Sequence, residues 1–235
     1  MIDPALPPPR VTMPSLRLRA LNAILALIGL LAGGCWGNKA LTYPPGLEPL
    51  ENNLAPWPEG SEDDPWPEEL ELISGEGDLL WAHGRGYVHA PLADTWEALR
   101  DPEVDVDRRR VASWTVSYDV PQDYDYCYRI HVVVEDVITL EWDLDWHHGV
   151  VDGDLDEPEA VGVRFFKSEG SSLIDLQAGS IAAFSLDDET TAVEFIEQLD
   201  APATTEEDLT QYLQDFFDSI VAFVHGQPLP EYPEE

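Results

Sequence analysis

Basic residues are scarce in this chain of 235 residues, which has 12 lysines and arginines against 47 aspartates and glutamates. The formal net charge at pH 7 is therefore −35. A surface of this sign repels nucleic-acid phosphates and anionic lipid headgroups, which argues against nucleic acid as a partner. Any membrane attachment has to be hydrophobic. The charge alone specifies no ligand, because an acidic surface also serves solubility.

Cysteine is almost absent, with only Cys35 and Cys127 in the chain. If Cys35 carries a lipid, Cys127 has no partner within the chain, and a disulfide framework is excluded. Motifs for zinc proteases, phosphate-binding loops, dinucleotide binding and serine hydrolases are absent as well. We therefore predict no cofactor and no metal, and we assign no catalytic residue from the sequence.

Residues 13–35 have the pattern of an export signal. Two arginines near the start are followed by an apolar run from Leu21 to Ala32, and two glycines precede Cys35. The apolar run is shorter than the roughly 20 residues that a comfortable membrane span needs. Residues 1–12 do not fit this pattern, which indicates Met13 as the true start.

This segment resembles the signal of bacterial lipoproteins, although Ala32 stands where leucine is usual. The resemblance implies a signal peptide over residues 1–34 and a mature chain held to a membrane by lipid on Cys35. Trp36 follows the cysteine in place of aspartate, which implies the outer membrane of the cell envelope, facing the periplasm or the exterior. The alternative is a plain secretory signal or an uncleaved anchor.

Residues 35–75 are rich in proline and acidic residues, with seven prolines between Pro44 and Pro67. Proline breaks regular structure and like charges extend a chain. We therefore predict a tether that holds the next domain away from the membrane. Trp57 and Trp66 are unusual in a tether, and we expect them to pack on the domain or to bind a partner.

Residues 76–228 have the pattern of one α+β domain. A strand and a short helix come first, and the helix has to end before Pro102. Apolar runs, some of them alternating, then predict about six antiparallel strands. All the predicted strands cover residues 84–90, 114–120, 126–134, 140–147, 161–166, 174–186 and 192–199.

The last predicted element is a long amphipathic helix, followed by a tail at residues 229–235. Thr204 and Glu207 match the pattern of a capping box at its start. Apolar side chains recur at helical spacing and form one broad stripe, whereas Asp215 and Asp218 belong to the opposite, polar face. A helix of this kind needs an apolar surface to cover, and the sheet supplies one.

Three segments resemble the START-like, polyketide cyclase-like superfamily (SRPBCC): the opening YVHAPLADTWEALRDPE, the later GSIAAFSLDDETTAVEFIEQLDAP, and the closing helix through VAFVHG. The resemblance covers about residues 80–228. It implies a helix-grip fold, in which a curved antiparallel sheet of about seven strands wraps a long C-terminal helix. It also implies a deep cavity between sheet and helix, often used for apolar ligands. No active-site residue is carried over, since the superfamily has no universal catalytic motif.

Six aromatic residues are the candidates for binding a ligand in such a cavity, with an ordinary place in the core as the alternative for each. They are Trp114, Tyr118, Tyr128, Trp142, Trp146 and Phe216. Four of them occupy even-numbered, apolar positions of two predicted strands, and aromatic rings suit an apolar pocket. The acidic exterior disfavours anions, so we expect a neutral or cationic apolar molecule.

Other polar clusters favour ordinary structural roles. Two aspartates share a strand face with His147, which makes a surface metal site conceivable. The acidic run at residues 152–156 alternates like a calcium loop but lacks its glycine and distal glutamate. Cys127 and His131 lie about 13 Å apart along a strand, too far for a nucleophile and its base.

Three hypotheses for function follow. The first is a membrane-anchored lipoprotein whose START-like domain binds a hydrophobic or aromatic small molecule. The second is a cyclase or hydrolase that uses the same cavity, against which we count the placement of most assignable acid–base groups on outer faces and loops. The third is an envelope interaction protein with a filled core.

Overall fold

The computed structural model describes residues 41–135, 138–202 and 204–232. The predicted signal peptide, its start at Met13 and the lipid site at Cys35 lie outside the described residues. The chain from Leu41 onward forms one compact unit, and this unit contains its own hydrophobic core.

The described part of this unit consists of eight strands and three helices. The strands are β1 (Leu70–Glu76), β2 (Leu80–Val88), β3 (Ser113–Ser117), β4 (Tyr126–Glu135), β5 (Thr139–Gly153), β6 (Pro158–Gly170), β7 (Leu176–Ser185) and β8 (Thr191–Asp200). The helices are α1 (Leu92–Ala98), α2 (Pro102–Asp105) and α3 (Glu206–Val224).

The strands form a single antiparallel sheet in the order β1-β2-β8-β7-β6-β5-β4-β3. The long β5–β6 pair contains register shifts between Asp143 and Leu144 and between Val150 and Gly153. Such irregularities bend and twist the strands locally. The α+β helix-grip fold predicted from the sequence is confirmed. The eighth strand is β1, which lies in the segment predicted to be a tether.

Helix α3 packs against the inner face of the sheet, as its apolar stripe predicts. The ring of Phe216 lies 5.6 Å from that of Phe195 on β8 and 6.2 Å from that of Trp146 on β5. Phe217 faces Gly86 of β2, where an added Cβ would lie 3.1 Å from its ring. Because Gly86 has no side chain, α3 and β2 can approach each other closely at this point.

The start of α3 differs by one residue from the prediction. Thr205 is the N-cap, and its hydroxyl accepts a hydrogen bond from the backbone N–H of Asp208, whose carboxylate accepts one from the Thr205 N–H. Asp215 was predicted on the polar face of the helix, but its side chain is buried. It forms a bidentate ion pair with Arg109, which lies in the segment after α2 and donates two hydrogen bonds to the carboxylate. A charged partner on a distant segment cannot be seen in the periodicity of a helix.

Residues 41–69, here called the strap, do not form the predicted extended tether. Leu47 and Ala55 are almost fully buried. Leu47 fills the space above Gly149 of β5, where an added Cβ would lie 2.6 Å from a methyl group of Leu47. Prolines prevent helices and strands, but they do not prevent a chain from packing on the uncovered face of a wide sheet.

The strap is also held by hydrogen bonds to β2 and β8. The side-chain amide of Asn53 donates to the carbonyls of Gly84 and Phe195, each at 3.0 Å. The indole of Trp57 stacks on the ring of Tyr87 with centroids 5.1 Å apart. Packing on the domain is thus the outcome for Trp57.

The sheet has a second small apolar cluster on the face opposite α3. It contains Ala160, Ala182, Phe184 and Ala192, and Trp57 of the strap packs against it. The sheet is therefore covered on both faces over part of its width. Among the described residues, no helix is long and apolar enough to cross a membrane.

Candidate functional site

A cavity of about 330 Å³ lies between the inner face of the sheet and the first turns of α3. Strands β4, β5 and β8, the segment after α2 and the loop before β7 complete its wall. Most of the wall is aliphatic, and its members include Ile130, Val132, Val134, Leu140, Leu144 and Leu199. The cavity reaches the surface near Ile138 and Leu173, which line it and are 53% and 43% exposed.

Of the six aromatic residues predicted to bind a ligand, Trp142 lines this cavity. Trp146, Tyr128 and Phe216 are fully buried and belong to the core. The ring of Trp146 stacks on Phe165 with centroids 4.3 Å apart, so side chains fill the space between α3 and the centre of the sheet.

Trp114 and Tyr118 lie at the sheet's edge, on and just beyond β3. Trp114 is half-buried beneath the guanidinium of Arg108, whose Cζ lies 5.4 Å from the centroid of the Trp114 ring. Tyr118 is 55% exposed. The even-numbered register predicted their shared face correctly, but β3 is short and at the edge, and the cavity lies elsewhere.

Glu197 is the most informative polar residue of the cavity wall. It is 2% exposed, and its Oε1 accepts a hydrogen bond of 3.1 Å from the side-chain amide of Gln177. Gln177 in turn accepts one of 2.9 Å from the indole N–H of Trp142. The Oε2 of Glu197 has no hydrogen-bond partner among the described residues. Burial raises the pKa of Glu197 to about 8, so the acid form predominates at neutral pH.

Asp105, at the end of α2, is a second buried carboxyl group of the wall and is 3% exposed. Its Oδ2 accepts a hydrogen bond from the hydroxyl of Tyr128, whereas Oδ1 has no partner among the described residues. Burial raises the pKa of Asp105 well above its usual range. The same hydroxyl of Tyr128 lies 3.5 Å from Nε2 of His148, whose pKa burial lowers to about 3.

Tyr212 and Arg110 also line the cavity. The hydroxyl of Tyr212 lies 3.5 Å from the backbone carbonyl of Asp105. Arg110 forms an ion pair with Asp208 on the first turn of α3. The carboxylate of Asp107 accepts hydrogen bonds from the backbone N–H groups of Arg109 and Arg110.

An acidic groove adjoins the cavity and shares Leu199, Ala201 and Thr204 with it. The groove runs between the β1–β2 turn and the start of α3. Its five carboxylates are Glu76, Asp78, Asp200, Glu206 and Glu207. A concave surface lined by charges of one sign concentrates ions of the opposite sign. Cations are therefore favoured at this side of the cavity.

The other polar candidates have local partners. Asp145 pairs with Arg129, and Asp143 accepts a hydrogen bond of 2.7 Å from Nδ1 of His131. The ring of His147 stacks on that of Tyr124, with centroids 4.8 Å apart. No group of three or more potential metal ligands occurs within residues 41–135, 138–202 and 204–232.

Sequence reasoning missed Asp105 and Glu197 and placed most acid–base groups outside. A signal for Glu197 was available, because it interrupts the apolar alternation of Val193, Phe195 and Leu199 on β8. A carboxylate on the buried face of a central strand requires a structural or functional partner. For Asp105 no such signal existed, since its burial depends on how a four-residue helix meets β4 and α3.

Comparisons with known proteins support the fold through structure and not through sequence. No family model and no curated protein matches the chain. Human StAR-related lipid transfer protein 5 is 9% identical, with a TM-score of 0.50 over 68% of this chain and 84% of that one. A StAR-related lipid transfer protein from Xanthomonas axonopodis is 12% identical, with a TM-score of 0.47 over 68% and 93% of the two chains.

An aromatase/cyclase from a Streptomyces species is also similar, at 14% identity and a TM-score of 0.38 over 67% of this chain and 93% of that one. At such identities the likeness concerns the fold alone. The chain therefore shares the helix-grip fold of human StAR-related lipid transfer protein 5.

Proposed function

We propose that this domain binds a hydrophobic small molecule in the cavity beneath α3, and that lipid on Cys35 holds the protein to the cell envelope. The observation that carries the binding function is the unfilled, largely aliphatic space of about 330 Å³. Ligand pockets are typically apolar clefts of about 300–1,000 Å³ with a few polar groups, and this one is at the small end of that range. The printed names of two structural neighbours, which are lipid transfer proteins, agree with such a role.

The transfer of an apolar ligand from water into this largely aliphatic cavity is energetically favourable. Burying apolar surface stabilises a complex by about 25 cal/mol per Å² before the costs of association are subtracted. A filled interior would have favoured the interaction-protein alternative. Instead, the space next to Trp142 and Leu140 is unoccupied by side chains.

The binding function is tested with the full chain extracted from its membrane. Denaturing the purified protein and analysing the released small molecules by mass spectrometry should recover an apolar compound in a fixed ratio to the protein. Leu144→Trp, which fills the cavity from β5, should remove that compound while the protein still melts cooperatively. An equal recovery from both proteins would contradict the proposal.

The anchor is tested separately by intact-mass analysis. We expect a chain that begins at Cys35 and carries acyl groups, and a Cys35→Ala variant should lose them. This proposal rests on the apolar run before two glycines and Cys35. A mature chain that begins elsewhere, or an unmodified Cys35, would contradict it.

An enzyme that uses the same cavity is the second candidate function. The observation in its favour is that Asp105 and Glu197 bring two buried carboxyl groups with raised pKa values to the wall, as general acid catalysis requires. Compounds added to the purified protein should be recovered unchanged if it only binds them. Conversion that wild type performs and Glu197→Gln does not would favour the enzyme.

A further inference from the structure

We propose that the ligand is an apolar amine whose ammonium group binds the carboxyl group of Glu197, with that of Asp105 as a second acceptor. This inference rests on the proposed binding function and specifies the chemistry of the ligand. It begins from two acidic side chains that line an otherwise aliphatic space and that are each at least nine-tenths buried.

Each of these carboxyl groups has an oxygen without a hydrogen-bond partner among the described residues: Oε2 of Glu197 and Oδ1 of Asp105. Buried polar atoms are nearly always paired, because leaving one unpaired sacrifices its hydration without replacement. The remaining oxygens are already used, by the amide of Gln177 and the hydroxyl of Tyr128. A ligand with several N–H donors would satisfy the unpaired ones.

No unpaired basic side chain lines the cavity within the part of the chain that the structure describes. Among the described residues that line the cavity, Arg110 is the one basic side chain, and Asp208 already pairs with it. Asp107 adds a further negative group nearby, since its charge raises the pKa of Glu197. A positive charge that enters from outside would therefore improve the electrostatic balance of the wall.

The acidic groove provides the second half of the argument. Its five carboxylates adjoin the cavity and would raise the local concentration of a cation at the entrance. A site that preferred an anionic ligand would carry basic side chains in this groove instead. The groove carboxylates and the buried carboxyl groups of the cavity thus both favour a positively charged ligand, although only the buried groups can contact it directly.

Binding should release a proton. Before binding, Glu197 keeps its proton at neutral pH; when the ammonium of the ligand pairs with it, the carboxyl O–H bond breaks and the proton passes to solvent. The titratable groups that interact with Glu197 are Asp107 from the segment after α2 and Tyr212 from α3, and Asp105 lines the same cavity; burial raises the pKa of each. Amine affinity should therefore rise with pH through neutrality, until the amine itself loses its proton near a pKa of about 10.

The experiment uses decylamine, decan-1-ol and decanoate, which share one apolar chain and differ in the headgroup. Residues 41–235 contain their own core and are suited to calorimetry without detergent, provided that they melt cooperatively. We expect decylamine to bind about tenfold more tightly than the alcohol, since a charge-assisted hydrogen bond is worth that much, and decanoate to bind most weakly. The heat of amine binding should depend on the ionisation enthalpy of the buffer, which reports the released proton.

Glu197→Gln should remove the amine's advantage and the proton release, while the alcohol binds as before. Glu189→Gln in the distant β7–β8 turn is the matched control, and it should keep the preference for the amine. If Glu197→Gln does not fold, Asp105→Asn replaces it, with a smaller loss of amine affinity expected. Equal binding of amine and alcohol by wild type would overturn the amine but leave the apolar cavity function, whereas binding of neither would overturn both.

Discussion

The indole N–H of Trp142 donates a hydrogen bond of 2.9 Å to the side-chain oxygen of Gln177. This bond orients the amide of Gln177 so that its N–H group donates to Glu197. An aromatic residue predicted to bind the ligand through its ring thus also positions the carboxyl group that we propose recognises the ligand.

Trp142→Phe should test this positioning role, because it keeps an aromatic ring and removes the donor. We expect the free energy of unfolding to fall by about 1 kcal/mol, which is typical for one hydrogen bond. Affinity for an apolar amine should fall more than affinity for the matched alcohol. Equal losses for the two ligands would indicate that Trp142 contributes only apolar surface.

The raised pKa of Glu197 predicts a specific dependence of stability on pH. The carboxyl group ionises near pH 4.5 in the unfolded chain and near pH 8 in the folded one, so the folded state holds the extra proton between these values. Stability from this group is therefore complete below about pH 4.5 and is lost as the pH rises toward 8, by at most about 1.4 kcal/mol per pH unit. Glu197→Gln should flatten the dependence in chemical denaturation measured over this range, and an unchanged slope would contradict the burial argument.

The two faces of α3 should respond differently to truncation. Phe216→Ala or Phe217→Ala should cost about 3–5 kcal/mol, because both rings are buried against the sheet. Asp218→Ala, on the exposed side, should change stability by under about 0.5 kcal/mol. Similar costs at all three positions in urea titrations would contradict the placement of the helix.

Asp215 should behave as a buried ion-pair partner and not as a surface residue. Asp215→Ala leaves the guanidinium of Arg109 without the two hydrogen bonds that it donates to that carboxylate, so we expect a cost of about 1–3 kcal/mol. The double variant with Arg109→Ala should lose less than the sum of the two single losses. Strict additivity would show that the pair contributes nothing.

The strap offers a matched pair of leucines. Leu47→Ala should cost about 2–5 kcal/mol, because Leu47 is 1% exposed and fills the space above Gly149. Leu54, which is 63% exposed, is the control, and Leu54→Ala should change stability by under about 0.5 kcal/mol. If both variants melt like wild type, the strap is not part of the folded unit.

The periodicity of the chain was sufficient for most of the strands and for the long helix, because each element has to bury one side, whereas their helix-grip arrangement was predicted from the resemblance to the superfamily. Apolar alternation predicted the strands from β2 to β8, and the stripe through Phe216 and Ile220 predicted α3. It could not predict β1 or the strap, since Leu47 stands among Pro44, Pro45 and Pro49, which prevent a regular helix or strand there. Its burial depends on glycines of β5 and β6 that are about a hundred residues away in the sequence.

For the candidate site, the sequence by itself determined the chemical character of the surface and the face on which each strand residue lies. Only the tertiary structure decided which part of the inner face is core and which is cavity: Trp146 and Phe165 fill the centre, and an unfilled space remains beside Trp142. The physical reason is that a side chain's orientation follows from its own strand, whereas the space in front of it is set by side chains from other elements. The proximity of Glu197 and Asp105 to one cavity has the same origin, because it arises only when α2, α3 and β8 meet.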